Sequence, residues 1–304
     1  MSVPAFAGGL VGGSARGGAP AAYCGAVEEH RTPFAALDDQ ADQLRAALIA
    51  YLDATAADAE IRRMRAEALA LLDPRPGERL LDAGCGAGEV ARQLGAAVGP
   101  GGEVVGLDLS RDAIAVADSR SGGPPVRYLT GDVAALDFPD GYFDGVRTER
   151  VLQHLPEPDR AIAELARVTR PGGRLCAIDT DWSSLCFEGV APALVEGLRA
   201  EAEAAGMRLG TAGRQLRGRL VRAGLVDLRV RAVTLVFTDP AAGAQVLPML
   251  RRGDLPGPPG MSPRVLADFQ AAVDAAAAAD AFLAALTMWI AVGTVAGPPP
   301  EART

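Results

Sequence analysis

Short apolar runs alternate along the middle of the chain with segments whose apolar residues recur at helical spacing. Leu80 and Leu81 follow Arg79 and run into Asp82; beyond Gly84, Gly86 and Gly88, the residues Val90, Leu94, Ala97 and Val98 predict a helix. Glu103 to Leu107 is the next run, closed by Asp108, and Ser110 is placed to cap a helix from Arg111 to Ser119. Ser121-Gly122-Gly123-Pro124-Pro125 returns the chain to a third run, Val126 to Thr130. Phe143 to Val146 and, past Arg170-Pro171-Gly172-Gly173, Leu175 to Ile178 complete the series. Strands alternating with helices at this pitch predict a parallel sheet with right-handed crossovers. Such sheets bind ligands beyond the carboxyl ends of their strands, where Asp82, Asp108, Asp132 and Glu149 all fall.

On either side of this core the pattern changes. Residues 1–35 are Gly/Ala-rich, with Tyr23, His30 and Phe34 as their only anchors. Lacking a basic stretch ahead of a continuous apolar segment, they read as a loosely ordered leader and not as a signal peptide. Residues 36–72 predict two helices, one with Leu44, Leu48 and Tyr51 on a stripe, the other with Ile61, Met64, Ala68 and Leu71. Arg62 and Arg63 either meet a carboxylate there or are simply solvated. Asp73-Pro74-Arg75-Pro76-Gly77 is the turn that opens a core of residues 73–238. After the fifth strand, Asp179-Thr180-Asp181-Trp182-Ser183-Ser184 reads as a polar loop. Helices over 192–205 and 214–223, the second ended by Gly224, precede an alternating strand over 226–237. Residues 239–280 are an insertion holding Met249, Arg251, Arg252 and an alanine-rich helix. The charge-free stretch that follows approaches the roughly 20 apolar residues of a membrane helix. It lacks flanking basic residues, so a buried final strand over 281–296 explains it better.

The segment Asp82-Ala83-Gly84-Cys85-Gly86-Ala87-Gly88 carries the chemistry. Strand, tight turn and helix follow one another; glycine lets the backbone adopt positive φ and approach a ligand, while the helix offers unpaired N–H groups. A nucleotide-like ligand suits that geometry. The spacing departs from the dinucleotide fingerprint, because the third glycine comes one residue early and an acid sits two residues before the first. Asp108, 20 residues after Gly88, is placed to accept hydrogen bonds from two ribose hydroxyls. In Gly131-Asp132-Val133 the carboxylate can accept from an adenine amino group.

Through these motifs, together with Glu149-Arg150-Val151-Leu152-Gln153-His154-Leu155 and the Arg170-Pro171-Gly172-Gly173 turn, the chain resembles the class I S-adenosylmethionine-dependent methyltransferases. It is similar in particular to the small-molecule branch that includes the ubiquinone and menaquinone biosynthesis enzymes. The resemblance spans about Leu72 to Phe237, more than half of the chain. It implies an α/β, Rossmann-like fold: a seven-stranded, mostly parallel sheet whose last strand runs antiparallel between the fifth and sixth. A helical N-terminal cover and a lid formed by the insertion are implied too. Asp82, Gly84, Cys85, Gly86, Gly88, Asp108, Leu109, Asp132, Val133 and Glu149 are then the cofactor-binding residues, and residues 36–304 one methyltransferase domain. Glu149 reads equally well as a charge at a helix entry. S-adenosyl-L-methionine already carries the activated methyl, so the protein mainly aligns an O, N or C nucleophile of a small metabolite, excludes water and, where needed, removes a proton. No metal is required. A cyclisation or other non-methylating reaction on the same fold, or a binding protein that kept the pocket, stays open.

Composition narrows the partners. The 304 residues carry a net charge of −8, and 49% of them are hydrophobic, enough for a substantial core. An acidic chain without an arginine stripe argues against nucleic acid, and the reading is a cytoplasmic enzyme without a membrane partner. All 30 basic residues are arginine, and asparagine is absent as well. Lysine Schiff-base chemistry and a phosphate-binding P-loop are therefore excluded. Cys24, Cys85, Cys176 and Cys186 show no paired spacing and read as scattered thiols, which argues against structural zinc or a disulfide framework. The candidate base is His154, one of 2 histidines, with Asp181 and Tyr142 as further candidates, although His154 also suits packing at a helix start.

Overall fold

The computed structural model describes residues 37–39, 42–122, 125–204, 210–252 and 262–297. The N-terminal leader, with Tyr23, Cys24, His30 and Phe34, and the Gly-Pro-rich part of the insertion lie outside the described residues. Among those described, the strands are β1 (Arg79–Ala83), β2 (Glu103–Asp108), β3 (Val126–Thr130), β4 (Phe143–Glu149), β5 (Thr169–Glu188), β6 (Leu225–Phe237) and β7 (Leu283–Val295). They form one sheet in the order β3-β2-β1-β4-β5-β7-β6. Strands β1 to β5 pair in parallel, whereas β7 runs antiparallel to both of its neighbours. The charge-free C-terminal stretch is thus a strand between the fifth and sixth, as the alternation of burial along it requires. Among the described residues no helix is long and apolar enough to cross a membrane.

The helices are α1 (Asp42–Ala57), α2 (Ala59–Leu72), α3 (Glu89–Val98), α4 (Arg111–Ser119), α5 (Pro158–Val168), α6 (Pro192–Ala204), α7 (Ala212–Arg222), the single turn α8 (Pro240–Gly243) and α9 (Pro263–Ala278). Local chemistry sets their bounds. Asp58 separates the two N-terminal helices by capping α2, its carboxylate accepting from the N–H groups of Glu60 and Ile61. Ser110 caps α4, and Pro158 opens α5 where its missing N–H costs nothing.

Helices on both faces bury the sheet, which is why its inner strands read as near-continuous apolar runs. On one face Leu80, Val104 and Ile178 pack with Ile61, Met64, Ala68 and Leu72 of α2 and with Val90 and Leu94 of α3. On the other, Leu81, Val105, Val146 and Leu175 meet Ile162 and Leu165 of α5 and Leu216 and Leu220 of α7. Each fully buried side chain of this size contributes about 1.5–3 kcal/mol relative to exposure.

One element departs from expectation. The segment from Asp179 is not a polar loop: β5 continues through it, with Asp179 opposite Trp289, Thr180 opposite Met288 and Asp181 opposite Thr287. Pairing with β7 buries all three polar residues. The register then shifts between Asp181 and Cys186, so Trp182 to Leu185 form a bulge beside the carboxyl ends of the parallel strands.

Candidate functional site

The glycine turn joins β1 to α3 with Gly84, Gly86 and Gly88 at φ of 79°, 51° and 76°, all in the left-handed region. Space constrains them as well. A Cβ on Gly84 would lie 2.1 Å from Cγ2 of Val151, and one on Gly88 would lie 2.5 Å from the Tyr128 hydroxyl, which donates to the Gly88 carbonyl. Asp108 at the end of β2 holds the turn, accepting from the N–H of Gly86 at 2.8 Å and of Ser110 at 3.0 Å. Burial raises its pKa against these donors. Leu109 beside it is half exposed. Cys85 sits in the turn as a protonated thiol, burial pushing its pKa well up. Val133 is buried, while Asp132 is exposed, with one oxygen taking the Ala134 N–H at 2.8 Å.

Beneath the turn lies an ion network that extends into the N-terminal cover. Asp82 and Arg147 are register partners on β1 and β4, and the Arg147 guanidinium donates to Asp82 Oδ1 at 2.8 Å and to Glu149. Arg65 of α2 donates to both oxygens of Glu149 and, at 3.2 Å, to Glu89 at the start of α3. Burial alone would raise the Glu149 pKa, but Arg65, Arg147 and Arg150 outweigh it and hold the carboxyl far below the usual range. Glu149, expected as a cofactor contact, is therefore enclosed by arginines. Asp82 keeps Oδ2 buried without a hydrogen-bond partner among the described residues. A buried, unpaired carboxylate oxygen is costly unless something fills its acceptor positions.

These residues fit the cofactor that the motifs imply. The orphaned Asp82 oxygen suits an ammonium group, the three glycines of the turn admit close backbone approach, and the Asp108 carboxylate lies beside the turn as an acceptor that ribose hydroxyls would suit. The N-terminal cover reaches over this turn. Leu52 of α1 would sit 3.5 Å from a Cβ on Gly86. Asp38 accepts from the Ser110 hydroxyl and the Arg111 N–H, Arg45 pairs with Asp112 of α4, and Asp53 pairs with Arg120, which caps the end of that helix.

At the carboxyl ends of β4 and β5, Gln153 is the hub. Its N–H donates to Asp179 at 3.0 Å, its Oε1 accepts from the Trp182 indole at 2.9 Å, and its Nε2 lies 3.2 Å from His154 Nε2. Burial pushes the Asp179 carboxyl up to about 7 against its backbone donors. Burial, with the Arg150 cation adding to it, pulls the His154 imidazole down to about 4. The ring is neutral at neutral pH and a weak proton acceptor.

Several expected site residues lie elsewhere. Asp181 faces α7, ion-paired to Arg214 and accepting from the Trp289 indole at 3.3 Å, because strand alternation sends it to the side opposite Trp182. Tyr142 stands at the amino end of the sheet, its hydroxyl on Glu103 and its ring under Arg79. Arg62 and Arg63 are exposed, bonded to the Ala57 carbonyl and to Glu60. Arg65, Arg147, Arg150 and Gln153 were not singled out by sequence. A visible sign existed for one of them: Arg65 falls on the apolar stripe of Ile61, Ala68 and Leu72.

A methyltransferase domain family model matches residues 81–177. Over 245 residues the chain is 36% identical to an uncharacterized 37.1 kDa protein in transposon TN4556 of Streptomyces fradiae, covering 80% of this chain and 70% of that one. It is 39% identical over 108 residues to the 2-phytyl-1,4-naphtoquinone methyltransferase of Synechocystis sp., 34% of this chain and 45% of that enzyme. The chain spans about half the length of the curated quinone methyltransferases it matches. The solved structure of the YcgJ protein from Bacillus subtilis shares the fold, with a TM-score of 0.53 at 19% identity over 76% of this chain and 97% of that one. The chain belongs to the class I S-adenosylmethionine-dependent methyltransferase family, on the branch similar to the quinone-biosynthesis enzymes.

Proposed function

We propose that this protein transfers a methyl group from S-adenosylmethionine to an O, N or C nucleophile of a small, partly apolar metabolite of secondary metabolism. One observation carries the reading: three left-handed glycines, the Asp108 carboxylate and the orphaned Asp82 oxygen meet at one turn. Bound there, the cofactor supplies an electrophilic methyl on a sulfonium. The chain's residues supply the rest. Gly84, Gly86 and Gly88 admit its backbone contacts, Asp108 and Asp82 hold its ribose and ammonium ends, Leu109 and Val133 flank its base, and Asp132 accepts from the base amino group.

On the acceptor side Gln153 and Trp182 shape the space next to His154, and the insertion after β6 serves as its lid. The low His154 pKa favours alignment over base catalysis, since a proton taken at this ring would be held weakly. Three described cysteines are free thiols, in keeping with a reducing cytoplasm, and the acidic balance supports a diffusible small-molecule partner over nucleic acid.

Incubating the protein with methyl-labelled cofactor and a small-molecule extract tests this. Label should appear in a small organic product and should not when Gly86 is replaced by Val. Cofactor binding with substrate conversion but no label transfer would move the reading to a non-methylating reaction on the same fold.

A further inference from the structure

Two arginines, Arg150 and Arg251, both stand close enough to Tyr51 for their charges to act on its hydroxyl. Arg150 directly follows β4 with φ of 55°, left-handed for a non-glycine residue, and its N–H is anchored on the Ile178 carbonyl at 2.9 Å. Backbone strain of this kind clusters at functional sites. The Arg150 guanidinium lies 3.4 Å from Glu149, a carboxylate that Arg65 and Arg147 already hold. Its charge is therefore only partly matched.

Arg251 lies in the insertion after β6. Its guanidinium carbon stands 5.3 Å from the centre of the Tyr51 ring, and among the described residues it has no ion-pair partner. The place is built. Tyr51 is buried and donates to the Val246 carbonyl at 2.6 Å, Thr55 donates to the Gln245 carbonyl at 2.8 Å, and Gln270 of α9 donates to the Arg251 carbonyl at 3.0 Å. The fields of both cations reach the Tyr51 hydroxyl, and that of Arg150 also reaches His154 and Asp179. Asp179 gives little compensation, since burial favours its neutral form.

We propose that Arg150 and Arg251 form an anion site for the methyl acceptor, which is a small carboxylate-bearing molecule. This rests on the methyl-transfer reading. A partly buried guanidinium is stabilised by a carboxylate with which it can form paired hydrogen bonds, and a neutral acceptor would leave it desolvated and unmatched. A sulfonium cofactor adds one more positive charge close by, which an anionic acceptor offsets.

The cofactor also carries a carboxylate, so the test separates the two sources. Benzoate and its neutral isostere benzamide are titrated by calorimetry into protein saturated with S-adenosylhomocysteine. Benzoate should bind about tenfold or more tightly than benzamide, the margin of one charged hydrogen bond, and the margin should shrink as salt is raised. Arg251→Gln should abolish the preference and Arg251→Lys should restore part of it, with S-adenosylhomocysteine affinity unchanged in both. Benzoate binding no better than benzamide, or not at all, overturns the proposal. So does an Arg251→Gln protein that loses the S-adenosylhomocysteine affinity, since the cation would then hold the cofactor's carboxylate. A wild-type protein that binds no S-adenosylhomocysteine would refute the methyl-transfer reading itself.

Discussion

Arg65 on α2 and Glu149 at the end of β4 form a bidentate pair across 84 residues of sequence, with Nε at 3.0 Å from one carboxylate oxygen and Nη2 at 2.9 Å from the other. The pair fastens the N-terminal cover to the sheet beside the glycine turn. Glu149 keeps Arg147 and Arg150 when Arg65 is removed, so Arg65→Leu should cost about 1.5–3 kcal/mol at neutral pH, the worth of charged hydrogen bonds and not that of a fully unpaired buried charge. The sign with pH follows from the depressed Glu149 pKa: its contribution is present above the ordinary carboxylate value and fades as pH falls below it. Urea unfolding of wild type and Arg65→Leu should therefore differ most near neutrality and converge in acid. Equal stabilities at neutral pH would contradict the role given to the pair.

Gly84 is demanded twice, by its φ of 79° and by Val151. Gly84→Ala should lose about 1–2 kcal/mol for the left-handed backbone and about 1–3 kcal/mol for the collision. Adding Val151→Ala should recover the second part only. Full recovery in the double variant, read by denaturant midpoint, would show that the backbone is not strained there.

Asp108 does two jobs. Its carboxylate pins Gly86 and Ser110, and on the proposed reading it also receives the ribose hydroxyls of the cofactor. Asp108→Ala should weaken S-adenosylhomocysteine binding by about 1.5–3 kcal/mol and also lower the melting temperature of the cofactor-free protein. A folded variant with an unchanged dissociation constant would remove Asp108 from the cofactor site.

His154 and Asp179 should pull stability in opposite directions with pH. The His154 pKa drops on folding to about 4, so the unfolded chain binds more protons between there and the ordinary histidine value, and stability rises with pH through that window. The Asp179 pKa rises on folding to about 7, so the folded chain binds more protons above the ordinary aspartate value, and stability falls as pH climbs towards neutrality. His154→Gln should flatten the first trend and Asp179→Asn the second. Once an acceptor is identified, His154→Gln should leave saturated turnover within about tenfold, short of the 10²–10⁴-fold loss of a general base. A hundredfold drop with loss of an ionisation in the histidine range would make His154 the base.

What the sequence could tell depended on how far away the explanation lay. The turn from Asp82 to Gly88 and the caps at Ser110 and Gly224 are local, and their chemistry is written in adjacent residues. Tyr142 could have been set aside from sequence, because it precedes Phe143, the first residue of β4, and so sits at the end of the sheet away from ligands. Asp179, Thr180 and Asp181 were illegible, for a run of polar residues becomes strand only when β7 arrives from the far end of the chain to pair with it. The same holds for Arg147. Its partner Asp82 is identified only by the register of β1 on β4.

The central claim is that the glycine turn binds S-adenosylmethionine, and calorimetric titration of the wild-type protein tests it most directly. The account predicts saturable binding at one site per chain for S-adenosylmethionine and S-adenosylhomocysteine, no competition from a nicotinamide dinucleotide, and loss of the signal in a folded Gly86→Val variant. A wild-type protein that gives no binding heat and no rise in melting temperature with either ligand would contradict it.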